Sequence, residues 1–359
     1  MAPEEVQKLQ AEYCRVALWS LPFGVACAGL EGFFNGVQKP GVALKAIIAA
    51  LVCNVVGNYL LIFGKFGLPA MGVQGAAIAT LLGWALRVGI LAIVFLSKEF
   101  HENYRTRDTW RFDASKLRGL VNVGGPTGIQ WMLDIGAWFL FFAVIMQKFG
   151  TATLAASNIG MQYMHIAFMP AIGVGIALCT LVGHAIGEGK PEIARQKTRG
   201  ALLVCVTYMG FIGLIFLAIP GFLVSFISTD TAVIEAGVGV LLWAALFQVS
   251  DALCIIYINA LRGAGDTRWP AIVVVILCWT VFLSGGYMMA TQMPHWKHHG
   301  PWMMCTLYIT ILGILFWRRF EGGAWRRINL FKNKVLPEND HPMAESNAEA
   351  LAETAGAMP

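Results

Sequence analysis

Asp251 stands in the stretch Trp243 to Pro270, where its neighbours for roughly twenty residues are otherwise apolar or uncharged. A charge at the middle of a bilayer costs at least about 2.5 kcal/mol on insertion scales, so an acid held there is a functional candidate by default. Gln248, three residues earlier, falls on the same helical face and adds an amide. Asp134 follows Gly125-Pro126-Thr127-Gly128 and lies eight residues, just over two helical turns, beyond that proline. Aspartate is too short to snorkel to the membrane surface as Lys or Arg does. Two carboxylates at similar depth on different helices can share a cavity that holds a proton or a sodium ion. Asp134 and Asp251, with Gln248 beside them, are therefore the candidate cation or substrate site, and the two acids are the candidate sodium ligands. The competing reading is two separate aspartates, each hydrogen-bonded across a helix interface.

The remaining ionisable groups within apolar stretches are Glu31, Arg87, His165 and Glu235. Glu31 lies near Gly36 and Glu235 opens its helix, so both are expected to reach an interface or a helix end. Arg87 is deeper but has a stem that snorkels. His165, after Met161-Gln162-Tyr163 and before Pro170, is expected to hydrogen-bond to a neighbouring helix. The eight cysteines are spread one to a segment with no CxxC spacing, which reads as small apolar residues rather than a disulfide or metal framework.

What must position these acids is a membrane. The 359 residues are 57% hydrophobic and only 13% charged, far from the roughly 25% charge of a soluble domain. Nine stretches are long and apolar enough to span a bilayer: 13–36, 41–64, 72–97, 119–147, 153–183, 200–226, 232–261, 269–292 and 301–319. The fold class is all-α, a polytopic helical bundle with the lipid bilayer as its partner. Pro22, Pro126, Pro170 and Pro220 are placed to bend their helices. The net charge of +5 comes from loops between spans and points to topology, not to nucleic acid.

Loops on one side and the tail carry 20 Lys and Arg, against five on the other side, which makes the first set cytoplasmic and the amino terminus external. The sequence Gly36-Val37-Gln38-Lys39-Pro40 closes the first span much as Gly263 to Pro270 closes the seventh. If spans one to three repeat spans seven to nine, the complete design is six plus six, with three spans absent at the front.

Gly125-Pro126 then Asp134, the loop Gly183-His184-Ala185-Ile186-Gly187-Glu188-Gly189-Lys190-Pro191, and Gln248-x-x-Asp251 followed by Leu261-Arg262-Gly263-x-Gly265-Asp266 resemble the carboxy-terminal lobe of the multidrug and toxic compound extrusion (MATE) transporters. Phe34-Asn35-Gly36, Lys39-Pro40, Asn54, Asn58 and Gly75-Ala76-Ala77-Ile78-Ala79-Thr80 resemble the end of the amino-terminal lobe. The resemblance implies a two-lobe architecture with an incomplete amino-terminal lobe. Its parts would be 1–97, a partial amino-terminal lobe of three helices; 98–118, a cytoplasmic interlobe loop; 119–320, a carboxy-terminal lobe of six helices; and 321–359, a disordered cytoplasmic tail. Asp134 and Asp251 stand where sodium-coupled members have their cation-binding acids, with aspartate at Asp134 where those members often carry glutamate.

The expected activity is antiport in a bacterial plasma membrane. Organic, cationic small molecules leave as sodium ions or protons enter, with no enzyme activity and no cofactor beyond the coupling ion. The sequence sets no oligomeric state. A lipid-linked glycan flippase of the same superfamily is the second reading, weakened because Arg87 is the one mid-span arginine. A third, of another class, is an intramembrane aspartyl protease, suggested by the GxGD of Gly263-Ala264-Gly265-Asp266.

Overall fold

The computed structural model describes residues 4–67, 69–108 and 113–327, with side chains from Gln7 onward. Nine of the described segments are long and apolar enough to cross a membrane, one at each expected place. The first is formed by α1 (Glu4–Ala17) and α2 (Leu21–Gly36), joined through a short 3-10 turn, and it is followed by α3 (Pro40–Phe63) and α4 (Gly72–Phe95). A short helix, α5 (Lys98–Tyr104), lies within the stretch expected to be an interlobe loop. Next come α6 (Ala114–Leu140), α7 (Thr151–Gly187), α8 (Pro191–Ala218), α9 (Pro220–Ser225), α10 (Thr231–Gly263), α11 (Arg268–Leu277), α12 (Gly286–Gln292) and α13 (His299–Glu321).

Local chemistry moves several boundaries. The fourth span starts at Ala114 rather than 119 because Asp113 caps it, accepting from the backbone N–H groups of Ser115 at 2.9 Å and Lys116 at 3.2 Å. Those bonds hold the Asp113 carboxyl below its usual range. The sixth span starts at Pro191, whose fixed φ suits a first helical turn, and stops at Ala218 rather than 226. Pro220 disfavours helical backbone at Ile219, which has φ −136°, so the chain breaks there and restarts as α9. Pro126 and Pro170 lie inside unbroken helices.

Two spans leave α-helical geometry midway: Phe141–Ile145 continues α6 as a π turn, and Cys278–Gly285 joins α11 to α12 the same way. The two π segments face each other, with the Phe141 and Phe282 rings 4.8 Å apart. Single π turns commonly mark functional places in a helix.

Buried side chains form two clusters, a small one around Cys27, Phe34, Ala46, Leu91 and Phe100 and a large one from Ala137 to Trp325. Helix α10 is the axis of the second, packed between α7, α8 and α13. Its crossings depend on glycine. A Cβ on Gly263 would drive into the carbonyl of Cys179 on α7, and one on Gly313 of α13 would lie 2.9 Å from the Ser250 carbonyl. Small residues let membrane helices approach this closely, where van der Waals packing replaces the hydrophobic drive.

One end of this cluster is tied by ion pairs. Asp266, only 4% exposed, accepts from Arg319 Nε at 2.9 Å. Glu321 accepts from Arg199 Nη2 at 2.9 Å, and Arg326 pairs with Glu192. The expectation of a disordered tail from 321 therefore fails over its first seven residues. Trp325 is buried and stacked on Phe320 at 5.3 Å, and its indole N–H donates to the Phe320 carbonyl at 2.8 Å. An apolar anchor followed by an arginine paired with Glu192 of α8 is enough to order that segment. The rest of the predicted tail, 328–359, lies outside the described residues.

Candidate functional site

Helix α6 presents Asp134 half-buried against the π segment, where Asp134 Oδ1 accepts from Cys278 Sγ at 3.6 Å. Tyr308 of α13 lies beside both Asp134 and Cys278. On α10, Asp251 is also half-buried, and among the described residues no hydrogen bond or salt bridge reaches its carboxylate. Cys254, one turn further along α10, lies within electrostatic reach of Asp251 and Asp134, and so does Cys305 of α13. The structure thus brings the two predicted acids around the same two thiols, with no hydrogen bond joining one acid to the other.

Gln248 is 1% exposed and its side-chain carbonyl has no partner. Its stem rests near Gly213, on the α8 flank of α10. An unpaired buried amide oxygen is costly, which makes Gln248 Oε1 an open acceptor for a cation or a hydrogen-bond donor. Ser250, beside Asp251, accepts from Thr310 Oγ1 of α13 at 3.1 Å.

Eleven residues along α10 from Asp251, Arg262 Nη2 donates to Gln130 Oε1 at 3.2 Å, linking α10 to α6. A cavity of about 430 Å³ is lined by Gly32, Asn35 and Gly36 of α2, Cys179 and His184 of α7 and Asn259 of α10, among others.

Three other expectations are corrected. Glu31 and Arg87 do not reach the interface separately: they form a salt bridge between α2 and α4, with Arg87 also over the Trp84 ring at 5.2 Å. Pairing removes the need to snorkel, since each charge answers the other. His165 bonds to the Met161 carbonyl one turn back on its own helix, at 2.8 Å, rather than to a neighbouring helix. Not all cysteines are buried; Cys14 is exposed and Cys53, Cys179 and Cys254 are half-buried, while all eight are free.

Sequence reasoning missed Cys254, Cys278, Cys305 and Tyr308. Cys254 was findable, three residues from Asp251 and so on its face. Cys278 and Tyr308 carry no such signal, because only the fold brings α11 and α13 to α6.

Residues 132–288, the segment that holds both acids, match the MatE family. That segment is a MATE-family domain. It is 33% identical over 295 residues to a probable multidrug resistance protein NorM of Mesorhizobium japonicum, covering 80% of this chain and 62% of that relative. A probable NorM of Rhodopseudomonas palustris is 31% identical, covering 76% and 59%. The chain therefore spans about three fifths of the length of these curated relatives. Among solved structures, an outward-facing multidrug resistance MATE family transporter superposes with a TM-score of 0.78 at 18% identity, covering 91% of this chain and 72% of that one. A Vibrio cholerae MATE transporter mutant gives 0.77 at 20%, covering 92% and 73%. With nine apolar spans and MATE relatives, this is a multi-pass integral membrane protein. The protease reading falls away, since Asp266 is held by Arg319 and the MATE relatives are transporters, not enzymes.

Proposed function

We propose that this MATE protein carries the cation and substrate site of a multidrug efflux transporter in a bacterial plasma membrane, exchanging organic cations for sodium ions or protons at Asp134 and Asp251. The observation that carries this reading is Asp251, a carboxylate inside a membrane-spanning helix with neither hydrogen bond nor salt bridge among the described residues, within electrostatic reach, like Asp134, of Cys254 and Cys305. An acid kept unpaired at that depth is best explained by a charge that comes and goes. Sodium, a proton or an organic cation each neutralises it, and competition between them for the same carboxylates couples their movements. Gln248, three residues before Asp251 on α10, carries a buried amide oxygen without a partner that could serve as a neutral ligand for a cation. In the partial amino-terminal lobe of residues 1–97, Arg87 is already neutralised by Glu31, which leaves a lipid-phosphate flippase without its mid-span cation.

The test is ethidium efflux by the chain in proteoliposomes under sodium and proton gradients imposed in turn. Asp251→Asn and Asp134→Asn should each abolish gradient-driven efflux while insertion is retained, because the amide keeps the shape and removes the charge. Asp134→Glu should keep transport and alter only sodium affinity. Wild-type efflux by both Asn variants would show that the acids are structural.

A further inference from the structure

The link between Arg262 and Gln130 has a position that the two acids make meaningful. Helices α6 and α10 run in opposite directions through the membrane, α6 outward and α10 inward. Gln130 is four residues before Asp134, one turn to its cytoplasmic side and on the same face. Arg262 is eleven residues after Asp251, about three turns further toward the cytoplasm. Helical side chains lean toward their own amino terminus, so Arg262 leans outward toward Asp251 and Gln130 leans inward from Asp134. They meet below both acids, where the hydrogen bond is made. Helix α6 packs mainly on α11 and the π segments rather than on α10, so this bond links two acid-bearing helices that are not closely packed on each other.

The surroundings of Arg262 set it apart on α10. It lies within electrostatic reach of Cys254, the thiol that also neighbours Asp134 and Asp251, and of Cys179, a wall residue of the cavity. That cavity is lined by amides, a hydroxyl, a thiol, a histidine and apolar groups, with no carboxylate among its lining residues. Between Asp251 and the end of α10 at Gly263, Arg262 is the one charged residue, so a cation moving along the helix in that direction meets no negative group of α10 and one positive charge.

We infer that Arg262, held in place by Gln130, is the cytoplasmic charge barrier of the cation site. Its guanidinium keeps a cation bound at Asp134 and Asp251 from draining inward until α6 and α10 separate and the Gln130 bond opens. It is a positioning residue: it touches neither the transported cation nor the substrate, and it decides the side on which the cation is released. This rests on the reading of the two acids as the cation site.

The experiment measures substrate-free cation leak. Proteoliposomes containing the chain are loaded with radioactive sodium, or with a pH-sensitive dye for protons, and no drug is added. Arg262→Gln should raise the leak about ten-fold, the scale at which a focused charge alters ion access. Arg262→Lys keeps the charge and should stay near wild type. Gln130→Glu separates this proposal from a merely structural tie. An acid there pairs more firmly with Arg262 and would lower the leak if the bond were only a clamp. Because it also neutralises the barrier, the leak should instead rise, as in Arg262→Gln. Adding Asp251→Asn to Arg262→Gln should return the leak to wild type. A leak that rises in both single variants but survives Asp251→Asn would overturn the cation site and keep the barrier. A leak unchanged in Arg262→Gln, or lowered in Gln130→Glu, would overturn the barrier whatever the acids do.

Discussion

His298 lies between the eighth and ninth spans, and its burial makes that end of the protein acid-sensitive. Its ring is only 7% exposed, hydrogen-bonds to the Ala236 carbonyl, and stacks 4.3 Å from His299, which accepts the Trp243 indole N–H at 3.1 Å. Both rings press on the bare backbone of Gly239 on α10. Burial first, then the charges of His299 and Lys297, depresses the His298 pKa from 6.5 to about 4. The folded state thus favours the neutral ring. Above pH 6.5 neither state is charged and stability is intact. As pH falls from 6.5 toward 4, the unfolded chain takes up the proton and the folded chain does not, so stability is lost through that window. Integrating the linkage between neutral pH and about pH 5 gives a loss of roughly 2 kcal/mol from this one ring, approaching about 3 kcal/mol below pH 4. His298→Asn removes the titration and should flatten that part of the pH dependence, while lowering stability at neutral pH through lost packing. The assay is unfolding of the detergent-solubilised protein followed by tryptophan fluorescence across that range. Parallel pH profiles for the wild type and His298→Asn would refute the reasoning.

Three further outcomes follow from the packing and the charge pattern. Removing Arg319 with Arg319→Ala should leave Asp266 buried and unpaired at a cost on the order of 3 kcal/mol, read as a lower unfolding midpoint, whereas Arg319→Lys should recover part of it. Gly263→Ala should force α10 off α7 at the Cys179 carbonyl and destabilise by about 1 to 3 kcal/mol, while Gly200→Ala on α8, where the chain is helical and the residue exposed, should be neutral or slightly stabilising in the same assay. A cysteine at Asp108 should resist an impermeant thiol reagent applied to intact cells and one at His295 should react, in a background lacking the eight native cysteines; the reverse pattern would invert the orientation derived from the basic residues.

The parts that were legible in the sequence are those that one dimension determines. Nine spans follow from apolar length, and Asp134 and Asp251 follow from isolation, since a short charged side chain in a long apolar run has no nearby water to reach. Boundaries were misread where polar residues extend a helix beyond the membrane, as Arg195 and Arg199 do at the start of α8. Pairings between distant segments were not legible. Glu31 and Arg87 are 56 positions apart and each alone looks like a group seeking water, while Cys278 and Tyr308 look like ordinary core residues until the fold sets them beside Asp134. The expected bond from His165 to a neighbouring helix is not made because the Met161 carbonyl, one turn back on its own helix, is nearer to hand.

The two facing π segments have a genetic consequence. A π turn is an α-helix with one residue too many, and each residue turns a helix by about 100°. In both spans the half beyond the insertion is therefore rotated relative to the half before it, so the face that carries Asp134 or Cys278 is not continued by the face an unbroken helix would present. Deleting one residue from Phe141–Ile145 or from Cys278–Gly285 would restore regular winding and swing everything beyond it to a different neighbour. In a mutational scan these two short windows should therefore tolerate many substitutions and reject single-codon deletions, the reverse of what a surface loop such as the one joining α4 to α5 would do.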